Sequence, residues 1–94
     1  MTTPKLKAVV FYEAGPDVLV KAPLHFAAHK AHFQAFVARG ELVAIGPFAD
    51  PREGSMAVFT SREAAEAFVR DDPFVLNGVV ARHTIKDWRE TLMG

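Results

Sequence analysis

The sequence contains no cysteine, which excludes disulfide bonds, thiolate nucleophiles and cysteine-type zinc sites. It also has no apolar run that approaches the ~20 residues needed to span a membrane. The N-terminal residues 1–7 carry two lysines but no long apolar run behind them, unlike a secretory signal peptide. We therefore expect a soluble, cytoplasmic protein that has no membrane partner.

The sequence has no excess of either charge, since eleven Lys and Arg residues balance eleven Asp and Glu residues. A nucleic-acid-binding domain would be basic, with clustered Lys and Arg. The apolar segment 56–60 also lacks the paired aromatics that RNA-binding sheets display on a basic strand. No glycine-rich nucleotide-binding loop is present. We therefore expect neither a nucleic-acid partner nor a cofactor.

What the sequence does contain is apolar material: half of its 94 residues are hydrophobic, and eight are Phe. This length predicts one domain that covers residues 1–94. A domain of this size leaves much of its surface uncovered, and oligomerisation is a common remedy.

The hydrophobic periodicity and the turn residues predict six elements in the order β-α-β-β-α-β. Residues 18–22 are ambiguous, and 87–94 form a tail in which Trp88 is the expected anchor. The predicted elements are a strand at 5–12, a helix with Pro23 in its first turn that ends at Arg39 before a Gly40 cap, strands at 41–46 and 56–60, a helix that starts at a Thr60–Glu63 capping box and stops near Asp71, and a strand at 79–86.

This order is typical of an α+β, ferredoxin-like fold with a four-stranded antiparallel sheet. The two helices then cover one face of the sheet. Because the strands are rich in apolar residues, we expect the other face to pack against a second copy, giving a homodimer.

The first predicted helix places His29 among phenylalanines. At about 100° per residue, His29 shares one arc with Phe26, Phe33 and Phe36, whereas His25 and His32 lie at its edge and should be wetter. A histidine in this position is either a core residue with a hydrogen-bond partner or a tuned acid/base. The three histidines also have the spacing of a weak metal motif, but a stable site needs three or four ligands, so we expect no metal.

Three short motifs, taken together, resemble the YciI-like (YCII-related) family: His29 on the first helix, Gly46-Pro47 at the end of a strand, and Asp72-Pro73-Phe74 after the second helix. The resemblance covers almost the whole chain in element order. It implies a dimeric α/β barrel of ferredoxin-like protomers with a site formed by His29 and Asp72. One class of relatives in that family dehydrochlorinates a chlorinated hydroxyquinol.

His29 and Asp72 make chemical sense as a pair, because a carboxylate fixes the tautomer of an imidazole and supports its charged form. The alternative is a core histidine that Asp72 or a carbonyl satisfies. Candidate substrate-binding residues are Tyr12, Gly46, Pro47 and Phe74. Each also has a purely structural interpretation, such as a buried tyrosine or a strand terminator. Arg52, in a turn, is a candidate contact for an anionic substrate.

The family resemblance, added to the chemistry of the pair, implies an acid–base site, built on His29 and Asp72, for a small cyclic or aromatic metabolite. Elimination, isomerisation or a lyase-type proton transfer fits such a site, and no cofactor is needed. The alternative is a non-catalytic module that binds a small molecule or only mediates dimerisation.

Overall fold

Residues 6–91, the part of the chain that the computed structural model describes, form a four-stranded antiparallel sheet with helices packed on one face. The strands lie in the spatial order β2-β3-β1-β4, which agrees with the predicted ferredoxin-like α+β topology. The elements are β1 (Lys7–Ala14), α1 (Val18–Ala38), β2 (Leu42–Pro47), a 3-10 turn (Pro51–Glu53), β3 (Ser55–Phe59), α2 (Arg62–Asp71), α3 (Pro73–Leu76) and β4 (Val80–Trp88).

β1 is a central strand, paired with β3 on one side and β4 on the other. Because side chains alternate along a strand, Ala8, Val10 and Tyr12 all point towards the helices, and each is at most 6% exposed. They pack in one core with the fully buried Phe59 of β3 and Phe68 of α2. The strand therefore brings Tyr12 to the layer between the sheet and the helices.

The opposite face of the sheet carries Val9 and Phe11 of β1 and Met56 and Val58 of β3. Within residues 6–91, none of these belongs to the core that the sheet forms with the helices. Trp88 ends β4 on the same face, opposite Lys7, and is 43% exposed. This face is apolar; Val9 and Val58 on it are buried, whereas Phe11 is half-buried and Trp88 is exposed.

α1 begins at Val18, five residues before Pro23, so the prediction that Pro23 lies in the first turn was wrong. Asp17 adopts a left-handed conformation (φ 61°), and its carbonyl accepts hydrogen bonds from the N–H groups of Val20 and Lys21. Because Pro23 has no N–H, the helix lacks one hydrogen bond, the one to the carbonyl of Leu19. Leu19 is exposed, so water can replace that bond.

α1 ends at Ala38, one residue before the predicted end at Arg39, and Gly40 follows as the predicted left-handed cap, with a positive φ of 73°. Its N–H donates to the carbonyl of Val37, and the N–H of Glu41 donates to the carbonyl of Phe36, both at 2.9 Å. These two bonds form a Schellman motif, which satisfies the last carbonyls of the helix and turns the chain into β2.

α2 begins one residue later than predicted, since its N-cap is Ser61 and not Thr60. The Ser61 hydroxyl oxygen accepts a bond from the N–H of Ala64 at 3.1 Å, whereas the N–H of Thr60 bonds the carbonyl of Glu41. The helix ends at Asp71, as expected, because Pro73 holds Asp72 in an extended conformation.

β4 continues to Trp88, so Trp88 belongs to the strand and not to a tail. Residues 1–5 and 92–94, which include the start of the first predicted strand and the end of the predicted tail, lie outside the described residues. No helix within residues 6–91 combines the length and the apolar character that crossing a bilayer requires.

Candidate functional site

Asp72 is the centre of the site and is fully buried. Its position follows from the sequence, because Pro73 begins the short helix α3 and leaves Asp72 as the N-cap. In that role its Oδ1 atom accepts a hydrogen bond from the N–H of Phe74 at 3.1 Å. The side chain is therefore held against the backbone before any distant residue contacts it.

Two side chains distant in sequence complete the coordination of Asp72. Nδ1 of His29, from α1, lies 2.7 Å from Oδ1. The hydroxyl of Tyr12, from β1, donates to Oδ2, also at 2.7 Å. The structure thus joins the predicted pair directly and adds a third residue whose hydroxyl the sequence analysis had associated with substrate.

These bonds define which ring nitrogen of His29 is available. An ionised carboxylate only accepts hydrogen bonds, so in the neutral imidazole the proton sits on Nδ1 and Nε2 keeps a lone pair. Among the described residues, Nε2 has no hydrogen-bond partner in the protein. Every buried side-chain nitrogen or oxygen among those residues does have a partner, so Nε2 is not a buried atom. Nε2 is therefore not sealed in the core: it opens onto the cavity that His29 lines.

The imidazole plane is fixed by aromatic neighbours. The ring of Phe74 stacks parallel to it, with centroids 3.8 Å apart and an interplanar angle of 2°. Phe33 presents its edge at 5.3 Å and 74°. Together with the bond to Asp72, these contacts leave His29 only 6% exposed and hold Nε2 in one direction.

Tyr12 remains a protonated donor in this arrangement. Burial raises the pKa of its hydroxyl well above the ordinary value, and both the negative charge of Asp72 and the hydrogen bond to it act in the same direction. The hydroxyl is thus committed to Asp72, and Tyr12 contributes its side chain to the cavity wall.

The cavity has a volume of about 370 Å³ and lies between α1, the end of β2, the start of β3 and α3. Five of the seven residues named from the sequence line it, and Asp72 lies behind them, hydrogen-bonded to three of the five. The lining residues named in advance are Tyr12, His29, Gly46, Pro47 and Phe74.

The sequence analysis missed other parts of the wall, including Phe26, Phe33, Ile45, Gly54 and Ser55. A signal for the two phenylalanines was present, because they share the helical arc of His29. No comparable signal marks the other three: the pairing of β2 with β3 brings Ile45 and Ser55 to the cavity, and Gly54 follows the 3-10 turn just before β3.

The remaining candidates lie elsewhere. Arg52 makes a two-pronged ion pair with Asp50, and this hydrogen bonding keeps the pKa of the Asp50 carboxyl below its ordinary value. Nε2 of His32 is 2.9 Å from the carbonyl oxygen of Phe68, where it is half-buried. Within residues 6–91, no three histidine or carboxylate side chains converge as metal ligands.

Comparison with known proteins gives a family and a fold. The model of the YCII-related domain matches residues 7–89. A search of curated proteins gave no match. Among solved structures, the chain is similar to 5-chloro-2-hydroxyhydroquinone dehydrochlorinase (TftG) from Burkholderia phenoliruptrix AC1100, in complex with 2,5-dihydroxybenzoquinone. The TM-score is 0.75 and the sequence identity is 20%, and the match covers 94% of this chain and 98% of that one.

A second similar structure is PA3566 from Pseudomonas aeruginosa, with a TM-score of 0.60 and 10% identity over 97% of this chain and 98% of that one. At these identities the two likenesses establish a shared fold. That fold agrees with the strand order β2-β3-β1-β4 of this chain.

Proposed function

Because the chain belongs to the YCII-related domain family, we propose that it catalyses proton transfer on a small cyclic or aromatic metabolite. His29 is the general acid/base, and Asp72 orients it. The observation that carries this proposal is the hydrogen-bonded series Tyr12–Asp72–His29, which leaves Nε2 free at the wall of an apolar cavity.

The geometry meets the requirements of general base catalysis. The bond from Nδ1 to Asp72 fixes the tautomer, and the negative carboxylate stabilises the imidazolium that forms when Nε2 takes a proton. A positioned acid/base of this kind contributes typically ~10²–10⁴-fold in rate. The buried position of Asp72, with three donors around it, keeps that support rigid.

The proposed step is an elimination or an isomerisation. Nε2 removes a proton from a hydroxyl or carbon of the bound ring, and the electron pair of the broken bond moves into the ring. This electron pair then either expels a leaving group from the ring or shifts a double bond within it. In the first case the leaving group departs with the pair; in the second, the imidazolium returns its proton to another ring atom.

A cyclic substrate agrees with the cavity wall, where Phe26, Phe33 and Phe74 offer aromatic surface. The similar structure of TftG holds 2,5-dihydroxybenzoquinone, and that enzyme is a dehydrochlorinase of a hydroquinone. These facts support a hydroxylated ring as the first substrate to test. We assign Gly46 and Pro47 to the wall that contacts the ligand, with Phe74 and Tyr12.

The test is chloride release from 5-chloro-2-hydroxyhydroquinone, run beside deuterium exchange from solvent into a panel of hydroxylated ring compounds. We expect turnover of at least one compound, and a loss of ~10²-fold or more in His29→Ala and Asp72→Asn. His83→Ala removes an exposed histidine on β4 and is the matched control, which should keep full activity.

The same variants discriminate against the alternative of a non-catalytic module. If His29→Ala and Asp72→Asn stay folded and keep wild-type turnover, the acid–base proposal is wrong. If the wild type binds ring compounds but exchanges no proton in any of them, the cavity is a binding site only.

We further propose that the protein is a homodimer in which the apolar sheet face of each protomer covers that of the other, closing a dimeric α/β barrel. The exposed Trp88 and the half-buried Phe11 on that face support this. Phe11→Lys should convert the dimer to a monomer in light scattering, whereas Arg70→Glu, on the exposed surface of α2, should not. A monomeric wild type at micromolar concentration would contradict the proposal.

A further inference from the structure

The wall of the cavity carries almost no charge. Among the residues within 6–91 that line it there is no Lys, Arg, Asp or Glu, and only His29 and Tyr12 have ionisable side chains. The Tyr12 hydroxyl donates its hydrogen bond to Asp72 and stays protonated. The polar side chains left to face a ligand are therefore His29, through Nε2, and Ser55.

The charge just behind the wall is negative. Asp72 is fully buried and is satisfied by two neutral donors, the Tyr12 hydroxyl and the Phe74 N–H, as well as by His29. When the imidazole is neutral, the cluster has a net charge of −1. When the imidazole is protonated, it only cancels Asp72, so the cluster never offers a net positive charge to a ligand.

Arg52, the residue that the sequence suggested as an anion contact, is not in the cavity wall. The guanidinium of Arg52 donates hydrogen bonds to both carboxylate oxygens of Asp50. An anion that enters the cavity would lose its water without gaining a cation from the wall, and such a desolvation disfavours binding. It would also lie close to the negative charge of Asp72.

The volume sets the size of the ligand. An engineered apolar cavity of roughly 150 Å³ holds benzene. The cavity here, at about 370 Å³, holds a ring with substituents or two fused rings. One hydroxyl of such a compound can donate to Nε2 of His29 while its ring contacts Phe26, Phe33 and Phe74.

We propose that the cavity selects uncharged hydroxylated ring compounds and rejects carboxylates and other anions of the same shape. This inference rests on the proposed function, since it assigns the substrate class of the same cavity. It also follows that the substrate enters with its proton, which Nε2 then removes. The O–H bond breaks, the N–H bond forms, and the anion left behind faces an imidazolium whose charge Asp72 already balances.

The experiment compares two probes that differ only in charge: para-hydroxybenzamide, which is neutral, and para-hydroxybenzoate, which is an anion at neutral pH. Dissociation constants are measured by titration in amide NMR spectra. We expect the amide to bind at least about tenfold more tightly than the carboxylate, because only the carboxylate is left unpaired. The amide signals of Ile45 and Gly46, in the cavity wall, should shift.

A pair of α1 variants localises the binding. Ala22→Phe fills the cavity, since Ala22 lies in its wall, and should abolish binding of the amide. Ala31→Phe places the same ring on the exposed side of the helix and should leave binding unchanged. The shifts at Ile45 and Gly46 in the wild type give the location independently if Ala22→Phe does not fold.

Equal affinities, tighter binding of the carboxylate, or no binding of the amide at millimolar concentration would each overturn the inference. These outcomes differ from failure of the proposed function. A protein that prefers the neutral probe but transfers no proton is selective without being catalytic. A protein that loses turnover in His29→Ala yet binds both probes equally is catalytic without being selective.

Discussion

Tyr12 provides a clean test of the buried cluster, because it is the only tyrosine in the sequence. Burial, the charge of Asp72 and the hydrogen bond to Asp72 all raise its pKa above the ordinary value of 10.0. In the unfolded chain the hydroxyl should ionise near that ordinary value. The tyrosinate absorbance band therefore reports this one residue in both states.

The size of the effect follows from linkage. Above about pH 10 the folded protein keeps the Tyr12 proton and the unfolded chain loses it, so the folded state binds more protons. Stability that is present below that pH is lost as the pH rises, by about 1.4 kcal/mol per unit for one proton. This slope continues until the pKa of the folded state is reached.

The assay is spectrophotometric titration of the native protein and of the protein in concentrated guanidinium chloride, with urea unfolding at several alkaline pH values. Lysines also titrate in this range, so the quantity to compare is the stability difference between the wild type and Tyr12→Phe. That difference should shrink by about 1.4 kcal/mol per pH unit above about pH 10. Reversible tyrosinate formation near pH 10 in a protein that stays folded would refute the buried Tyr12–Asp72 bond.

Two further predictions concern local structure. Gly54→Ala should lower the free energy of unfolding by about 2 kcal/mol or more, because φ is +97° and the new Cβ would overlap the carbonyl oxygen of Tyr12. Gly40→Ala places its Cβ in open space and should lower that free energy by only about 1–2 kcal/mol. Urea unfolding measures both. Ser61→Ala should cost about 1 kcal/mol by loss of the α2 cap, and Thr60→Ala clearly less; the reverse order would show that Thr60 is the cap.

The sequence analysis predicted the topology because its signals are local. Pro47 and Pro73 restrict the backbone and Gly40 permits a left-handed turn, and each of the three marks the end of an element in the structure. Boundaries were less certain where two residues offer similar chemistry. Thr60 and Ser61 are both good caps, and the ladder bond from Thr60 to Glu41 decides between them.

The contacts of the site could be predicted only in part. The arc of α1 identified His29, and the family resemblance supplied Asp72, but their contact joins residues 43 positions apart. The bond from Tyr12 to Asp72 spans 60 positions and depends on the register of β1. No local pattern in the sequence encodes either distance, so the role of the Tyr12 hydroxyl emerged only from the packed structure.

The central claim is that Asp72 holds His29 with the proton on Nδ1 and the lone pair of Nε2 directed into the cavity. The most direct measurement is the nitrogen NMR spectrum of the His29 ring at a pH where the imidazole is neutral. We expect a protonated Nδ1 and an unprotonated Nε2 in the wild type, and loss of this tautomer preference in Asp72→Ala. A wild-type ring with its proton on Nε2 would show that His29 is not a general base, because that nitrogen would then have no lone pair with which to accept a proton.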